Sequence, residues 1–475
     1  MAEISASAAV REAVWPREIV DRTIFWLFVA GLAWVPFWYG SNDWIALGVN
    51  AIWFPGLTAL YELSLLIRRK SHPVGIRHVA VPATLVAGVI AWIILQTLTW
   101  NWLDLANPIW ALAAEALGRP ITGSISVNRD LTNLALLRLI TAASCFWLAL
   151  QLCRDGARAR LLLGLLGVIG CGYAAYGLIA LKAGPLPWLV YLPPSRGFVS
   201  STFISRDCYA TYAGIGFLVT AGFVLRRYHH EISEATGSLR LLIASFIEGS
   251  GGGAALLAGA FLTLVALCLT GSRGGLFATG LGLLALLMLG RWHESDQGRE
   301  RLAVIVLALF LVAATLLVFG GIVGGKIEEA GLYDTNRMAV YLLTLRSIAD
   351  APVLGYGYGT FADVFPMYRD RSIEVLGIWA QAHDTYLEIF QGLGLVFGSM
   401  LIGSIVILAV RCAGGALRRR QNATVPRIAA SVMILVGVHA LVDFGLQMQA
   451  IAITLTAILG AGVAQSERTR VALED

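Results

Sequence analysis

The chain has 475 residues, of which 57% are hydrophobic and 14% charged, with a mean hydropathy of +0.73 and a formal net charge of +5. So little polar surface excludes a soluble globular protein of this length. The apolar runs are continuous rather than alternating, which excludes a β-barrel. The composition therefore predicts an all-α integral membrane protein, and residues 1–475 are predicted to form one polytopic membrane domain.

Twelve apolar runs are predicted to cross the bilayer, because a membrane span needs about 20 apolar residues. Residues 1–21 are polar and mixed in charge, so the first run is predicted to be an uncleaved span and not a signal peptide. The predicted spans are 23–39, 44–66, 79–98, 132–152, 160–181, 208–225, 253–271, 274–290, 302–323, 386–410, 428–446 and 449–464. Only a very short turn separates the last two, so eleven spans are the alternative.

The orientation follows from basic residues in the short loops, because lysine and arginine are enriched in cytoplasmic loops. The basic clusters that fall on one side are Arg68-Arg69-Lys70, Arg154 with Arg158 and Arg160, Arg226-Arg227, Arg291 with Arg299 and Arg301, and Arg411 with Arg418-Arg419-Arg420. Arg11, Arg17, Arg468 and Arg470 join them near the ends of the chain. We therefore predict that both termini are cytoplasmic.

Three longer segments fall on the opposite side of the membrane. Residues 99–131 contain Trp100, Trp102 and Trp110 and are predicted to hold an interfacial helix with an aromatic anchor. Residues 182–207 are Pro-rich and contain Arg196 and Arg206, and residues 324–385 form the largest loop, with Arg337, Arg346, Arg369 and Arg371. Arginines on this side depart from the usual charge bias, so they are candidates for function.

His383 is the strongest single candidate for chemistry. It lies beside Asp384, where the largest loop meets an apolar run, and on the predicted far side of the membrane. A histidine beside an acid is suited to proton transfer near neutral pH. His72, His78, His229, His230 and His293 are instead predicted to face the cytoplasm, and His439 is predicted to lie within the membrane.

A second candidate is Arg273, in the segment Thr270-Gly271-Ser272-Arg273-Gly274-Gly275, which interrupts about forty apolar residues. Glycines allow close approach of the backbone and present amides to an anion, and arginine binds phosphate in a bidentate manner. The alternative is a hairpin turn whose arginine reaches to the membrane surface.

Three further motifs have both a functional and a structural interpretation. Arg206-Asp207 precedes a span and could bind a sugar or phosphate, or form a structural ion pair. The run from Gly355 to Phe361 alternates glycine and tyrosine, and is more typical of a tight turn than of a channel filter or a dinucleotide site. His439 and Asp443 are four residues apart, so they share a helix face and are predicted to brace the bundle or the site.

Taken in order, these motifs resemble the O-antigen ligase and polymerase superfamily of bacterial membrane glycosyltransferases. The resemblance covers residues 190–460 and rests on spacing: Gly197 to Thr202-Phe203 and Tyr209-Ala210; Leu269-Thr270 to Arg273-Gly274; Asn336-Arg337; Pro352 to Phe361; Ala382-His383-Asp384 to Tyr386-Leu387; and Val442-Asp443-Phe444. The family's Asn-rich segment after Thr-Phe is replaced here by Ile204-Ser205-Arg206-Asp207.

The resemblance implies about twelve membrane helices, with a large periplasmic loop of short helices over the active site, in the bacterial inner membrane. It implies that an undecaprenyl-diphosphate-linked glycan is the donor, that lipid A core or a second lipid-linked glycan is the acceptor, and that no metal, cofactor or nucleic acid takes part. His383 is the predicted base and Arg273 with Arg337 the predicted diphosphate ligands. Secondary candidates are Arg196, Arg206, Asp384 and Tyr386, with Asp384 in a position to orient the His383 ring.

Two other classes of protein remain open at this stage. A transporter or flippase for lipid-linked glycans would also have many spans, but it would hold its ionisable groups near the bilayer midplane at a repeat interface. A structural scaffold for glycan export would not need His383. Within the favoured class, the motifs favour a ligase over a polymerase only by resemblance.

Overall fold

A computed structural model describes residues 19–99, 105–184, 197–234, 252–291, 335–373, 378–419 and 423–466. These residues form helices, turns and loops, with no strand among them. The helices are α1 (19–34), α2 (Trp44–Ile67), α3 (Ala80–Thr97), α4 (Ile109–Leu117), α5 (Arg129–Leu152), α6 (Gly156–Ala183), α7 (Arg206–Glu234), α8 (Gly252–Cys268), α9 (Arg273–Arg291), α10 (Thr335–Asp350), α11 (Phe361–Val364), α12 (Thr385–Arg418), α13 (Thr424–His439) and α14 (Gln449–Ser466).

Within the described residues, eight helices are long and apolar enough to cross a membrane: α2, α3 with the 3₁₀ turn Ile76–Val79 before it, α5, α6, α7, α9, α12 and α14. The helices α8 and α13 are apolar but shorter. The predicted span 302–323 lies outside the described residues. The all-helical membrane class is therefore confirmed, while the count of twelve spans stays a prediction.

Two predicted spans extend too far along the chain. Helix α1 ends at residue 34 because Pro36 restricts the residue before it and cannot continue the hydrogen-bond ladder. Helix α13 ends at His439, and the chain then turns before the 3₁₀ helix Gly445–Gln447. The segment predicted to hold an interfacial helix contains the short α4, in which the indole of Trp110 donates to the carbonyl of Ser126, and its place at the membrane interface stays a prediction.

Polar side chains begin the membrane helices. Asp43, Asn128, Asp155 and Asp384 are the N-caps of α2, α5, α6 and α12, and each accepts a hydrogen bond from one or two backbone amides of the first turn. A capped helix end satisfies amides that would otherwise be exposed to an apolar surrounding.

Basic residues from separate loops meet at one end of the bundle. Arg154 and Arg419 both donate to carbonyls at the end of α14, and Gln465 donates to the carbonyls of Cys153 and Arg154. At the same end Arg68 pairs with Asp21 at 2.7 Å. Arg68, Arg154 and Arg419, which belong to three of the basic clusters in the sequence, thus lie at the same end of the bundle.

The Gly-Tyr run lies at the opposite end and fastens the large loop to the bundle. The amides of Tyr356 and Gly357 donate to the carbonyls of Gln391 and Gly392 at 3.0 Å, next to the kink of α12 at Gly394. Gln96 of α3 links the same two segments, because its side-chain amide donates to the carbonyls of Leu354 and Gly392 at 2.8 Å. The structural interpretation of this run, a tight turn, is what the geometry supports.

We expect Gly357→Ala to reduce the folded yield strongly. Gly357 has φ +103°, and a Cβ there would meet Ser126 and lie 2.7 Å from the Thr132 hydroxyl, so strain and overpacking together should cost about 2 to 5 kcal/mol. Size-exclusion yield and thermal unfolding in detergent measure this effect. Gly403→Ala is the matched control, because nothing lies within 4 Å of its Cβ position; equal losses in both variants would contradict the expectation.

Candidate functional site

Four segments converge at the end of the bundle opposite the basic clusters. They are the start of α7, the turn before α9, the start of α10 and the turn after α13. Glycines allow this approach, because a Cβ on Gly274 would lie 3.1 Å from the His439 ring and 3.0 Å from Val442. The motifs that are far apart in the sequence therefore form one polar cluster.

Arg337 links three of these segments. Its guanidinium lies 3.8 Å from the Asp207 carboxylate and donates to the Val442 carbonyl at 3.4 Å. Both contacts are long for charge-assisted hydrogen bonds, which are usually 2.7–2.9 Å. The Arg337 and Asp207 side chains are 32% and 22% exposed, so the guanidinium is accessible to a ligand from outside.

Arg273 is the first residue of α9 and is exposed. Within the described part of the chain its side chain makes no hydrogen bond or ion pair. The residues beside it are fully engaged: the Thr270 hydroxyl accepts from the Ser272 amide, and the Ser272 hydroxyl accepts from the Gly275 amide. The turn is thus a hydrogen-bonded hairpin that presents an exposed cation, and phosphate binding by Arg273 stays a prediction.

Arg206 and Asp207 have different partners. The Arg206 guanidinium stacks over the Phe198 ring at 4.4 Å, while Asp207 faces Arg337 and the Ser272 hydroxyl. The predicted ion pair within this dipeptide is therefore replaced by two separate interactions. Phe198 also fills the space above Gly271, whose φ of +63° forms the turn.

His439 and Asp443 do not act as a pair. The imidazole Nδ1 of His439 lies 2.6 Å from the Thr211 hydroxyl on α7. The Asp443 side chain is 1% exposed, and its oxygens lack a hydrogen bond of good geometry among the described residues, although the Cys208 thiol approaches them. The helix ends at His439, so the predicted i, i+4 relation is broken, but both residues do join α13 to α7.

We expect the free energy of unfolding to depend on the ionisation of Asp443. Burial, with Asp207 nearby, raises the pKa of Asp443 to about 7, above its ordinary value of 3.8. The folded state therefore holds the proton more tightly, and stability falls as pH rises from about 4 to about 7, by at most about 1.4 kcal/mol per pH unit. Thermal unfolding from pH 5 to 8 should show this slope in the native protein and a flatter one in Asp443→Asn.

The control for Asp443→Asn is Asp130→Asn, because Asp130 is an exposed carboxylate near the same end of the bundle. It should keep the slope of the native protein. If Asp443→Asn and the native protein share one slope, Asp443 is not the group that titrates. A well-folded Asp443→Asn variant without activity would instead assign this carboxyl to the reaction.

His383 lies just before α12 in a left-handed conformation, with φ +57°. Its ring is half-buried between Trp379 and Phe444, with centroid distances of 5.6 and 4.9 Å and edge-to-face geometry. The Tyr341 hydroxyl donates to the His383 carbonyl at 3.0 Å and ties it to α10. The imidazole is thus held by aromatic rings next to the turn that carries Asp443.

Asp384 and Tyr386 have structural partners. The Asp384 carboxylate accepts from the amides of Tyr386 and Leu387 at 2.8 and 3.1 Å, so it caps α12, whereas we predicted that it orients the imidazole. Burial raises the pKa of Asp384 although the two amides oppose this shift. The Tyr386 hydroxyl donates to the Gly437 carbonyl at 2.8 Å and holds α12 against α13.

A network of amides and carboxylate fixes the segment that carries His383. Glu388 accepts from the Ala382 amide at 2.7 Å and from the Gln447 side chain at 3.0 Å. Thr385 donates to the Asp443 carbonyl and its amide donates to the Ala440 carbonyl. The sequence analysis did not identify Glu388 or Gln447 as site residues. Glu388 could have been found, because it is an acidic residue one helical turn after the Asp384 cap and therefore lies on the same side of the helix.

Arg196 lies outside the described residues, as does residue range 324–334 of the large loop. Arg346 pairs with Asp370 at 3.5 Å on the loop surface, and Tyr368 donates to Asp350 at 2.8 Å. Among the described residues no group of three histidine, cysteine or acidic side chains is close enough to hold a metal ion. The expectation of a metal-independent reaction stays a prediction.

These features define an all-α membrane protein with a polar, arginine-bearing site at one end of its helix bundle. Residues 258–402 match the family model described as O-antigen ligase. This match, over about a third of the chain, supports the resemblance to the O-antigen ligase and polymerase superfamily of membrane glycosyltransferases. The matched residues include Arg273, Arg337 and His383, whereas Asp207 and Asp443 lie outside them. No curated protein matches the chain.

Proposed function

We propose that this protein transfers a glycan from an undecaprenyl-diphosphate carrier to an acceptor hydroxyl at the periplasmic face of the bacterial inner membrane. The observation that carries the proposal is the position of Arg273, Arg337 and His383 at the same end of the bundle, opposite the basic clusters. The family match supports the class of reaction. In this orientation both termini are cytoplasmic, because the basic end faces the cytoplasm.

The donor is already activated, since a diphosphate is a good leaving group. Catalysis mainly requires cations on the diphosphate and a base near the acceptor hydroxyl. The exposed Arg273 and the partly exposed Arg337 would bind the diphosphate oxygens, and Arg337 would exchange its 3.8 Å contact with Asp207 for a shorter bond to the diphosphate. Two guanidinium groups would supply the positive charge that a divalent metal supplies in other sugar transferases.

His383 is the proposed base. Its imidazole accepts the proton of the acceptor hydroxyl as the oxygen attacks the anomeric carbon. The bond between that carbon and the diphosphate oxygen breaks, and the electron pair leaves with the lipid diphosphate. Attack from the side opposite the leaving group inverts the anomeric centre. Trp379 and Phe444 fix the ring so that it need not reorganise during the reaction.

The acceptor defines the particular enzyme. The family description names a ligase, and for a ligase we propose lipid A core as the acceptor. A polymerase that joins two lipid-linked repeat units is the second candidate, because the resemblance covers both kinds of enzyme. A flippase is the rival from another class, but the proposed ligands for the donor lie at one end of the bundle, whereas a transporter holds such groups near the midplane.

A reconstituted transfer assay tests the proposal. Purified protein receives an undecaprenyl-diphosphate-linked repeat unit with or without lipid A core, and the products are separated by mass. Glycan on lipid A core identifies a ligase, and longer lipid-linked glycans without that acceptor identify a polymerase. If neither arm shows transfer, and the lipid-linked glycan moves across the vesicle membrane, the protein is a flippase and the proposal is wrong.

A further inference from the structure

A cavity of about 420 Å³ lies between α3, α5, α12 and α14, and neither Arg273 nor Arg337 lines it. Most of its wall is apolar. It follows the 3₁₀ turn Ile76–Val79 and then α3 as far as Ile90, which is about 20 Å at a helical rise of about 1.5 Å per residue. On α12 it extends from Thr385 to Leu408. The cavity therefore runs through most of a hydrocarbon core that is about 30 Å thick.

One end of this cavity carries a cation, Arg138. It projects from α5 inside an apolar span, and its Nε is buried. The guanidinium makes no hydrogen bond or ion pair with the part of the chain that the structure describes. A charged group inside a membrane span is costly and is usually paired or functional. Arg138 is thus a buried cation without a hydrogen-bonded or ion-paired anion among the described residues, and an anionic ligand could bind it.

Glu388 lines the same end but is already engaged. Its two oxygens accept from the Ala382 amide and the Gln447 side chain, so they hold the His383 segment in position. Tyr358 is the other polar neighbour of Arg138 in the cavity wall. An anionic group entering here would meet one guanidinium with free donors, with a long apolar channel behind it.

We propose that this cavity is a lipid-binding groove. It would bind a second polyprenyl phosphate lipid, with its phosphate on Arg138 and its hydrocarbon chain between α3, α5, α12 and α14. The volume, spread over about 20 Å, has room for one chain. An acyl chain anchored in one leaflet covers only half of the hydrocarbon thickness, about 15 Å, so the length of the groove favours the longer isoprenoid chain. The two acyl chains of a phospholipid or the several chains of lipid A would not fit together.

The position of the groove indicates its role, which rests on the proposed function. Thr385 and Gln447 line the groove and belong to the network beside His383. Arg337 contacts the Val442 carbonyl, which lies with Gln447 in the chain between α13 and α14. The donor ligands and the groove therefore both adjoin the segments that hold His383. A lipid bound to Arg138 would present its glycan to His383 as the acceptor, as a polymerase requires.

The test measures lipid binding and does not depend on transfer. The protein in nanodiscs of zwitterionic phosphatidylcholine is titrated with undecaprenyl monophosphate, and bound lipid is counted by native mass spectrometry. We expect Arg138→Gln and Ala142→Phe, which fills the groove, each to weaken one binding event by about tenfold or more. Arg119→Gln and Leu137→Phe are the matched controls, because both residues are exposed and neither lines the groove.

Two results would overturn the inference. One is unchanged binding of the monophosphate in both groove variants. The other is equal displacement of the monophosphate by phosphatidylglycerol, which would make the groove a general phospholipid site. Arg273→Gln separates this inference from the proposed function: it should keep the binding event that depends on Arg138. Such binding without any transfer would leave the groove assigned and reject the proposed reaction.

Discussion

His383→Ala should lower the rate of glycan transfer by about 10² to 10⁴-fold, the usual contribution of a general base. The half-buried ring lies against Trp379 and Phe444, in the network that also holds Asp443 and Glu388. Removing it leaves the acceptor hydroxyl without a base while the arginines can still bind the donor. The reconstituted assay measures the loss, with the rate per folded protein as the readout.

The conformation of His383 calls for a second variant. Histidine tolerates the left-handed region at φ +57° better than alanine does, so we expect His383→Ala to lower the folded yield as well as the rate. His383→Asn avoids much of this strain, because asparagine tolerates the left-handed region, and it should be equally inactive. His78→Asn, at an exposed site remote from the cluster, should be fully active. Turnover like that of the native protein in both His383 variants would exclude it as the base.

Arg273→Lys should lower transfer by about a hundredfold, comparable to the loss of one donor to a developing oxyanion. The guanidinium at the start of α9 is exposed and presents parallel donors to a diphosphate, whereas lysine is a point charge without the bidentate geometry. Because Arg273 has no partner among the described residues, its replacement should not affect stability. Initial rates over a range of donor concentrations separate weaker binding from slower chemistry.

Arg119→Lys is the control for Arg273→Lys, since Arg119 is exposed just after α4 and is not part of the cluster. It should retain the activity and thermal stability of the native protein. Full activity of Arg273→Lys would mean that charge alone is enough at this position. Full activity of Arg273→Gln as well would remove Arg273 from the diphosphate site.

Much of the architecture could be predicted from the order of residues. Continuous apolar runs and short basic loops predict the helices and the end at which Arg154 and Arg419 meet, because both patterns reflect transfer of side chains between water and lipid. The grouping of Arg273, Arg337 and the His383 segment could be predicted from their motifs only through resemblance to a family. Arg138 could have been noticed, since an arginine within the predicted span 132–152 is unusual.

The pairing of side chains was decided by the tertiary structure alone. Asp384 caps α12 because the helix begins at Thr385, and Arg206 turns to Phe198 while Asp207 faces Arg337. The spacing of residues in the sequence does not show these partners, because each partner depends on which helix ends are neighbours in the fold. Hydropathy thus determined the helices and the end of the bundle that bears the basic loops. Packing between helices determined which charges meet, because hydrogen bonds and ion pairs require distances of a few ångströms.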